Sequence, residues 1–344
     1  MKAVQVRPGS GMTLRDVPVP TPGPGEVLVK VAGAGLCHSE IAVAQYPQYY
    51  RPDESWMTLG HETSGYVESV GEGVSGLASG QPVVVHAEWG CGQCVSCRSG
   101  HERFCPVVRP RAGSGLGFDG GLAEYILVPS ARNVLPLPEE LDPTDAAPLD
   151  DAGLTPYHAI RSSMPWLDAG SVAVVIGVGG LGHMAVQLLR EMSPAQIVVV
   201  EKDPRRRDFA LDLGAHIALD PNDDAAAQIK AMGSDGASFV LDLVGNDKTL
   251  EMAGASAAVR GKVAVVGAGF GSLNFNMMSF PWECVLQTSY SGEAWELEQL
   301  LQLAAMGRIK VWANHITLDE VPAAYEQLGQ GGLELGRTIA VPKG

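Results

Sequence analysis

Four of the chain's six cysteines fall within fifteen residues, at Cys91, Cys94, Cys97 and Cys105 of CGQCVSCRSGHERFC, and this clustering constrains the fold more than any other feature. Two residues separate the first from the second and the second from the third, and seven separate the third from the fourth. A tetrahedral Zn²⁺ needs four soft ligands converging on one point, and short Cys-x-x-Cys loops supply them with little strain. The competing accounts are four independently buried thiols or disulfide pairs, and the clustering weighs against both. The stretch reads as a structural zinc lobe set within a larger protein.

At 344 residues the chain has room for two domains with hydrophobic cores. Its net charge of −15 opposes a phosphate backbone, so the lobe is not expected to bind nucleic acid. Clustered cysteines at metal spacing fit a reducing compartment. No stretch approaches the ~20 apolar residues of a membrane span, and the N-terminus MKAVQVRPGSGMTLRDV has no apolar signal core, so no membrane partner and a cytoplasmic location are expected.

The first half carries short strand patterns broken by Gly and Pro, as in MKAVQV, TPGPGEVLVKVAGAG and QPVVVHAEWG. From about residue 150 the pattern becomes strands alternating with amphipathic helices: SVAVVIG, LGHMAVQLLREM, AQIVVVE, RRRDFALDLG, ASFVLDLVG and GKVAVVGAG. Continuous β-branched runs separated by helices predict a parallel sheet covered on both faces. A helix, ELEQLLQLAAMG, and a strand, TIAVPKG, follow towards the C-terminus.

Between the first of these strands and its helix lies GVGGLG, comprising Gly177, Gly179, Gly180, Leu181 and Gly182 with Val178. In that context the first glycine permits a tight turn, the second lets backbone approach a pyrophosphate, and the third lets the helix pack on the strand. Nineteen residues past Gly182, Glu201 ends the second strand, where an acid binds the ribose 2′-hydroxyl of NAD and repels the 2′-phosphate of NADP. The basic residues that follow, Lys202 and Arg205 to Arg207, weaken that preference without reversing it.

Two further motifs, GLCHSE at 35–40 and GHETSG at 60–65, contain the soft ligand types Cys37 and His61. GHETSGYVESVGEGV resembles the zinc-alcohol-dehydrogenase signature at Gly60, His61, Glu62, Gly65, Gly71 and Val74. With GLCHSE, the four-cysteine lobe and GVGGLG in the same order, the whole chain resembles medium-chain, zinc-dependent alcohol dehydrogenases. APLDDAGLTPYHAI resembles the bacterial NAD-dependent secondary alcohol dehydrogenases among them.

The resemblance implies an α/β fold: a GroES-like, partly open β-barrel catalytic domain over about 1–151 and 294–344, with the zinc lobe at about 88–108, and a Rossmann domain over about 152–293. It implies two Zn²⁺ per chain, with Cys37, His61 and Asp151 as ligands of the catalytic ion and Glu62 as an exchangeable fourth. Asp150 is the alternative to Asp151 within the doublet. Glu40 would fix the His61 tautomer, Ser39 would take the alcohol proton, and His38 and Arg337 stand where relatives contact phosphates. Ala42 replaces a relay histidine. Ala42, Trp89 and Tyr290–Gly292 are pocket candidates, with Tyr46, Tyr49 and Tyr50 at the rim, and Cys284 is expected as a buried small hydrophobe. The implied reaction is reversible hydride transfer between NAD and a small-molecule alcohol, secondary and aliphatic or aryl, giving ketone or aldehyde, in a homodimer or homotetramer. Alternatives are a polyol or primary-alcohol dehydrogenase of the same family, a zinc-free enone or quinone reductase, or a non-enzymatic zinc-lobe protein.

Overall fold

The computed structural model describes residues 1–45, 55–108, 113–233, 235–331 and 333–342. Tyr46, Tyr49 and Tyr50 lie outside them. The chain divides into two compact units, one of Met1–Asp151, Gly292–Met306 and Val311–Gly344, the other of Ala152–Ser291 and Gly307–Lys310.

The first unit is built on a seven-stranded sheet whose centre is Val27–Gly35. That strand pairs antiparallel with Glu62–Val70, Tyr125–Val128 and Arg337–Val341. Pro82–Val85 extends the sheet on one side and Ala313–Thr317 on the other, the latter running parallel to Arg337–Val341. A smaller sheet sets Lys2–Val6 between Thr13–Asp16 and Met57–Thr58. The inward faces bury Val29, Val31, Leu36, Leu59, Val67 and Ile126 in one core, the burial that holds such sheets together. This is the GroES-like architecture, and its element boundaries place Cys37 and His61 just beyond two strand ends that lie side by side.

The second unit is a six-stranded, all-parallel sheet in the spatial order Ile217–Leu219, Gln196–Val200, Val172–Ile176, Ala237–Asp242, Ala257–Val265, Val285–Thr288. In sequence terms that order is 3-2-1-4-5-6, the Rossmann arrangement. Val172–Ile176 is buried along its whole length, as expected of a central parallel strand covered on both faces. Short helices the periodicity leaves unassigned, Ala225–Lys230 and Asp247–Ser256, complete the crossovers. Among the described residues no helix is long and apolar enough to cross a membrane.

Candidate metal centres and nucleotide loop

The four lobe cysteines converge. Cys94 precedes the short helix Val95–Arg98 that carries Cys97, and a 3₁₀ turn, Glu102–Phe104, delivers Cys105. Sulfur separations are 3.4 Å for Cys94–Cys97, 3.8 Å for Cys94–Cys105 and 4.0 Å for Cys91–Cys97. Four thiolates at ~2.3 Å from a tetrahedral Zn²⁺ would stand about 3.8 Å apart, so the donor set fits the ion. All six cysteines are free of disulfides. Backbone N–H groups point at the sulfurs: Cys91 donates to Cys105 (3.4 Å), and Gln93 and Cys94 donate to Cys91 (3.5 and 3.4 Å). Burial works against ionising Cys105, but the N–H donors of Cys91, Val108 and Val107 bring its thiol down to about 6. Burial, and after it the facing Cys94, push the Cys97 thiol up to about 12. Gly90 makes room beside it, since a Cβ there would lie 2.6 Å from the Cys97 sulfur.

The second cluster forms where Val27–Gly35 and Glu62–Val70 pair with Gly35 opposite Glu62. That register brings Cys37, at the entry to helix His38–Gln45, next to His61. Gly60, at φ +102°, turns the chain into His61 where a side chain would strike the Leu122 backbone. Asp151 arrives from the 3₁₀ turn Ala147–Asp150. Its Oδ2 is 3.5 Å from the Cys37 sulfur and 3.4 Å from His61 Nε2. Around one tetrahedral Zn²⁺, a sulfur and an oxygen would stand about 3.5 Å apart, and a nitrogen and an oxygen about 3.4 Å, so this set fits too.

Glu40 is fully buried beneath the cluster. Its Oε1 lies 2.5 Å from His61 Nδ1 and accepts from the His61 backbone N–H (3.2 Å), while Oε2 accepts from the Cys37 N–H (3.3 Å). Its carboxylate also lies close enough to the Cys37 sulfur and the imidazole for these three to hold a metal ion together, while both of its oxygens accept N–H bonds. With Nδ1–H donated to Glu40, Nε2 faces Asp151 and Cys37. Burial opposes charging of His61, yet Glu40, ahead of hydrogen bonds that the ring donates to Asp151 and Cys37, holds its pKa well above the usual range.

The aspartate doublet divides cleanly. Asp150 is buried and its Oδ2 accepts from the Ala87 N–H (3.0 Å), so it braces the backbone while Asp151 faces the cluster. Burial, ahead of the opposing Ala87 bond, drives the Asp150 carboxyl well up. Ser39 Oγ lies 3.5 Å from the Cys37 sulfur, and His38 is exposed on the same helix.

For Glu62 and Arg337 the structure departs from what the resemblance offers. Glu62, anticipated at the metal, is fully buried and gripped by Arg337, with Nε 2.9 Å from Oε2 and Nη2 2.6 Å from Oε1. The same Nη2 is 3.3 Å from Asp151 Oδ2, so the guanidinium offered as a phosphate contact is committed to two carboxylates. The reason is register: Arg337 opens the strand that pairs with the end of Val27–Gly35, beside Glu62. Of the pocket candidates, Trp89 is buried with its indole N–H on the His86 carbonyl (2.9 Å), Ser291 is buried at φ +46°, and Tyr290 is exposed. Cys284 is half-buried rather than buried.

In the second unit the glycine loop has the form its spacing predicts. Gly177 adopts φ +92°, and a Cβ on Gly182 would lie 2.2 Å from the Gly177 carbonyl oxygen. A Cβ on Gly179 would meet only Arg206 Nη1, at 3.7 Å, leaving that backbone approachable. Leu181 precedes helix Gly182–Met192, whose N-terminus suits an anion. The Glu201 carboxylate is buried, accepting from Val178 N (2.8 Å) and Asp203 N (3.0 Å), which ties the loop to the end of the second strand.

Comparison with known proteins agrees with this architecture. Residues 23–139 match the alcohol dehydrogenase GroES-like domain and 180–306 the zinc-binding dehydrogenase domain. An NAD-dependent alcohol dehydrogenase of Saccharolobus solfataricus is 32% identical over 99% of this chain and 100% of its own. A D-arabinose 1-dehydrogenase (NADP(+)) of the same organism is 32% identical over 96% and 94%. The crystal structure of an alcohol dehydrogenase from Aeropyrum pernix superposes with a TM-score of 0.91 at 33% identity, covering 99% of this chain and 100% of that one. The chain belongs to the medium-chain, zinc-dependent alcohol dehydrogenase family, a family of oxidoreductases.

Proposed function

We propose that this chain oxidises secondary alcohols, and reduces the corresponding ketones, with NAD. The observation that carries the reading is the Cys37–His61–Asp151 triangle, whose separations suit one zinc ion and whose imidazole is already set in the ligating tautomer by Glu40. Zinc held there would supply Lewis acidity, polarising an alcohol or carbonyl oxygen. Ser39, in the first turn of the helix beside Cys37, offers the hydroxyl that accepts the alcohol proton. With Ala42 in place of a relay histidine, that proton passes onward by another route than a side chain at 42. His38 is kept as a candidate beside this path. The glycine loop and the helix start behind it would take the pyrophosphate, and the ribose hydroxyls fall to Glu201, which keeps lone pairs beyond its two backbone bonds. A carboxylate there disfavours NADP, although one relative's name carries NADP(+) and Arg206 lies over Gly179.

Small residues at Ala42 and Ser291 favour branched or aryl substrates. The D-arabinose relative supports the polyol alternative. Assembly as a homodimer or homotetramer is supported by the sheet's outer strand Val285–Thr288, exposed throughout, near the exposed Phe275, Met277, Met278 and Trp282. Six cysteines without disulfides fit the cytoplasm. The test is zinc per chain by elemental mass spectrometry, followed by a panel of secondary, primary and polyol substrates with NAD and NADP. Two zinc ions and turnover of secondary alcohols with NAD are expected; a single ion and no alcohol turnover after zinc loading would overturn the reading.

A further inference from the structure

We propose that Tyr325 is a positioning residue whose hydroxyl gives the Glu40 carboxylate its fourth hydrogen bond and so steadies that anion behind His61. The inference rests on the dehydrogenase reading above, in which His61 is a zinc ligand. Tyr325 lies on helix Val321–Gly329, which packs within the first unit against the helix that carries Glu40. Its ring belongs to the same buried core as Leu36 and Val43, which flank Glu40 in sequence. A phenol brings one O–H donor, and burying that donor without an acceptor is costly. Tyr325 is buried, and its hydroxyl has no hydrogen-bond partner among the described residues. Glu40 shows the complementary shortfall. An ionised carboxylate has about four lone-pair sites. Three N–H groups fill three of them: His61 Nδ1–H and the His61 backbone on Oε1, and the Cys37 backbone on Oε2. The site left over is on Oε2 of a fully buried side chain, which bulk water does not reach. Burial, and after it the charges of Glu40 and Cys37, push the Tyr325 phenol well above its usual range, so it keeps the proton it would share. Glu40 stands ahead of Cys37 in that influence, which marks the carboxylate rather than the sulfur as the acceptor. An unspent donor and an unfilled acceptor therefore meet across one helix pair, and a small turn of the phenol joins them. A further donor stabilises the carboxylate in its charged form, and that charge orients the imidazole and raises its basicity towards a metal.

The test joins a spectroscopic readout to a metal affinity. The chain has eight tyrosines, few enough to resolve by carbon NMR after labelling at the phenolic carbon, and the Tyr325 signal is the one that Y325F lacks. Spectra are recorded with zinc in the lobe alone and again at saturating zinc. The Tyr325 signal is expected to shift in E40Q in both states, because its acceptor has lost its charge. If E40Q does not fold, E40D supplies the same comparison, keeping the charge but withdrawing it by one methylene. Zinc affinity is measured by competition with a chelator. Y325F keeps the ring and loses the hydroxyl alone, so it should bind zinc at the Cys37–His61–Asp151 triangle about 3–10-fold more weakly, with the lobe zinc unaffected. In E40Q/Y325F the loss of the hydroxyl should add no further weakening, because the carboxylate it acts through is gone. A ring that merely fills space would leave the affinity unmoved, since Phe packs alike. A Tyr325 signal indifferent to both Glu40 substitutions, wild-type zinc affinity in Y325F, or losses that add in the double variant would each overturn the proposal. Failure of the wild-type chain to bind zinc outside the lobe would instead sink the dehydrogenase reading, and this inference with it.

Discussion

Replacing Glu40 by Gln should strip the enzyme selectively of its catalytic zinc. Three N–H donors converge on the Glu40 carboxylate: His61 Nδ1–H, the His61 backbone and the Cys37 backbone. A glutamine can present its one carbonyl oxygen to His61, but its NH₂ then opposes the Cys37 N–H at the position now 3.3 Å away. That buried N–H loses its acceptor, at a cost of about 1–3 kcal/mol in the apo protein. Loss of the charge behind the imidazole should weaken zinc by about 10–100-fold, or ~1.4–2.8 kcal/mol. The pH dependence follows from His61. In the wild-type apo protein Glu40 raises the imidazolium well above its usual range, so zinc must displace a proton and its affinity climbs as pH rises towards that point. In E40Q the strongest influence favouring the imidazolium is gone while burial remains, so proton competition weakens. The affinity penalty should therefore be largest at alkaline pH and shrink as pH falls. The assay is competition with a chelator of known affinity at pH 6 and pH 8.5, with zinc counted per chain. The lobe zinc should stay throughout as an internal reference. Wild-type affinity in E40Q, or a penalty that grows on acidification, would refute the reasoning.

Three other outcomes are expected. Asp151→Ala should lose the catalytic zinc and keep its fold, whereas Asp150→Ala should keep both ions and lose about 1–3 kcal/mol of stability from the orphaned Ala87 N–H; metal analysis and denaturant unfolding separate them. Gly182→Ala places a methyl 2.2 Å from the Gly177 oxygen, so NADH binding followed by fluorescence should collapse while both zinc ions remain. Zinc uptake by the apo lobe should release protons, a whole one from Cys97 at about 12 and little from Cys105 at about 6, so lobe affinity rises with pH; titrations in buffers of different ionisation enthalpy measure that release.

What could be read in the sequence was what local spacing encodes. The four lobe cysteines lie within one short loop, and the GVGGLG turn joins adjacent elements, so the lobe and the phosphate loop are each written in contiguous residues. Cys37 and His61 stood out as ligand types, but their shared role came from the resemblance of GLCHSE and GHETSGYVESVGEGV to family motifs, since the pairing that brings them together lies in the register of distant strands. Discrimination between Asp150 and Asp151 depended on the rotation of one 3₁₀ turn, which hydrophobic periodicity does not encode. The Arg337–Glu62 fork joins residues 275 positions apart through sheet register, and no local pattern at either end announces it. Helix Val321–Gly329 escaped for another reason: it is short, and its burial is spread over Val321, Ala324 and Tyr325 rather than along a long stripe.

The zinc lobe also has a bearing on chain topology. The first unit is interrupted: the polypeptide departs after Asp151 and re-enters at Gly292. At the point of return Glu293 is buried, caps helix Ala294–Ala305, and receives Arg103 at 2.8 Å and His101 at 3.0 Å, both from the lobe, while the Gly292 carbonyl meets His86. The metal-fixed loop is therefore a fastener for a long closure. The entropy of closing such an excursion grows only with the logarithm of its length, so the clasp at the re-entry point faces a cost that depends weakly on what is inserted between. The lobe thus adds a clasp at the re-entry point to the strand pairing that ties Arg337–Val341 to Val27–Gly35.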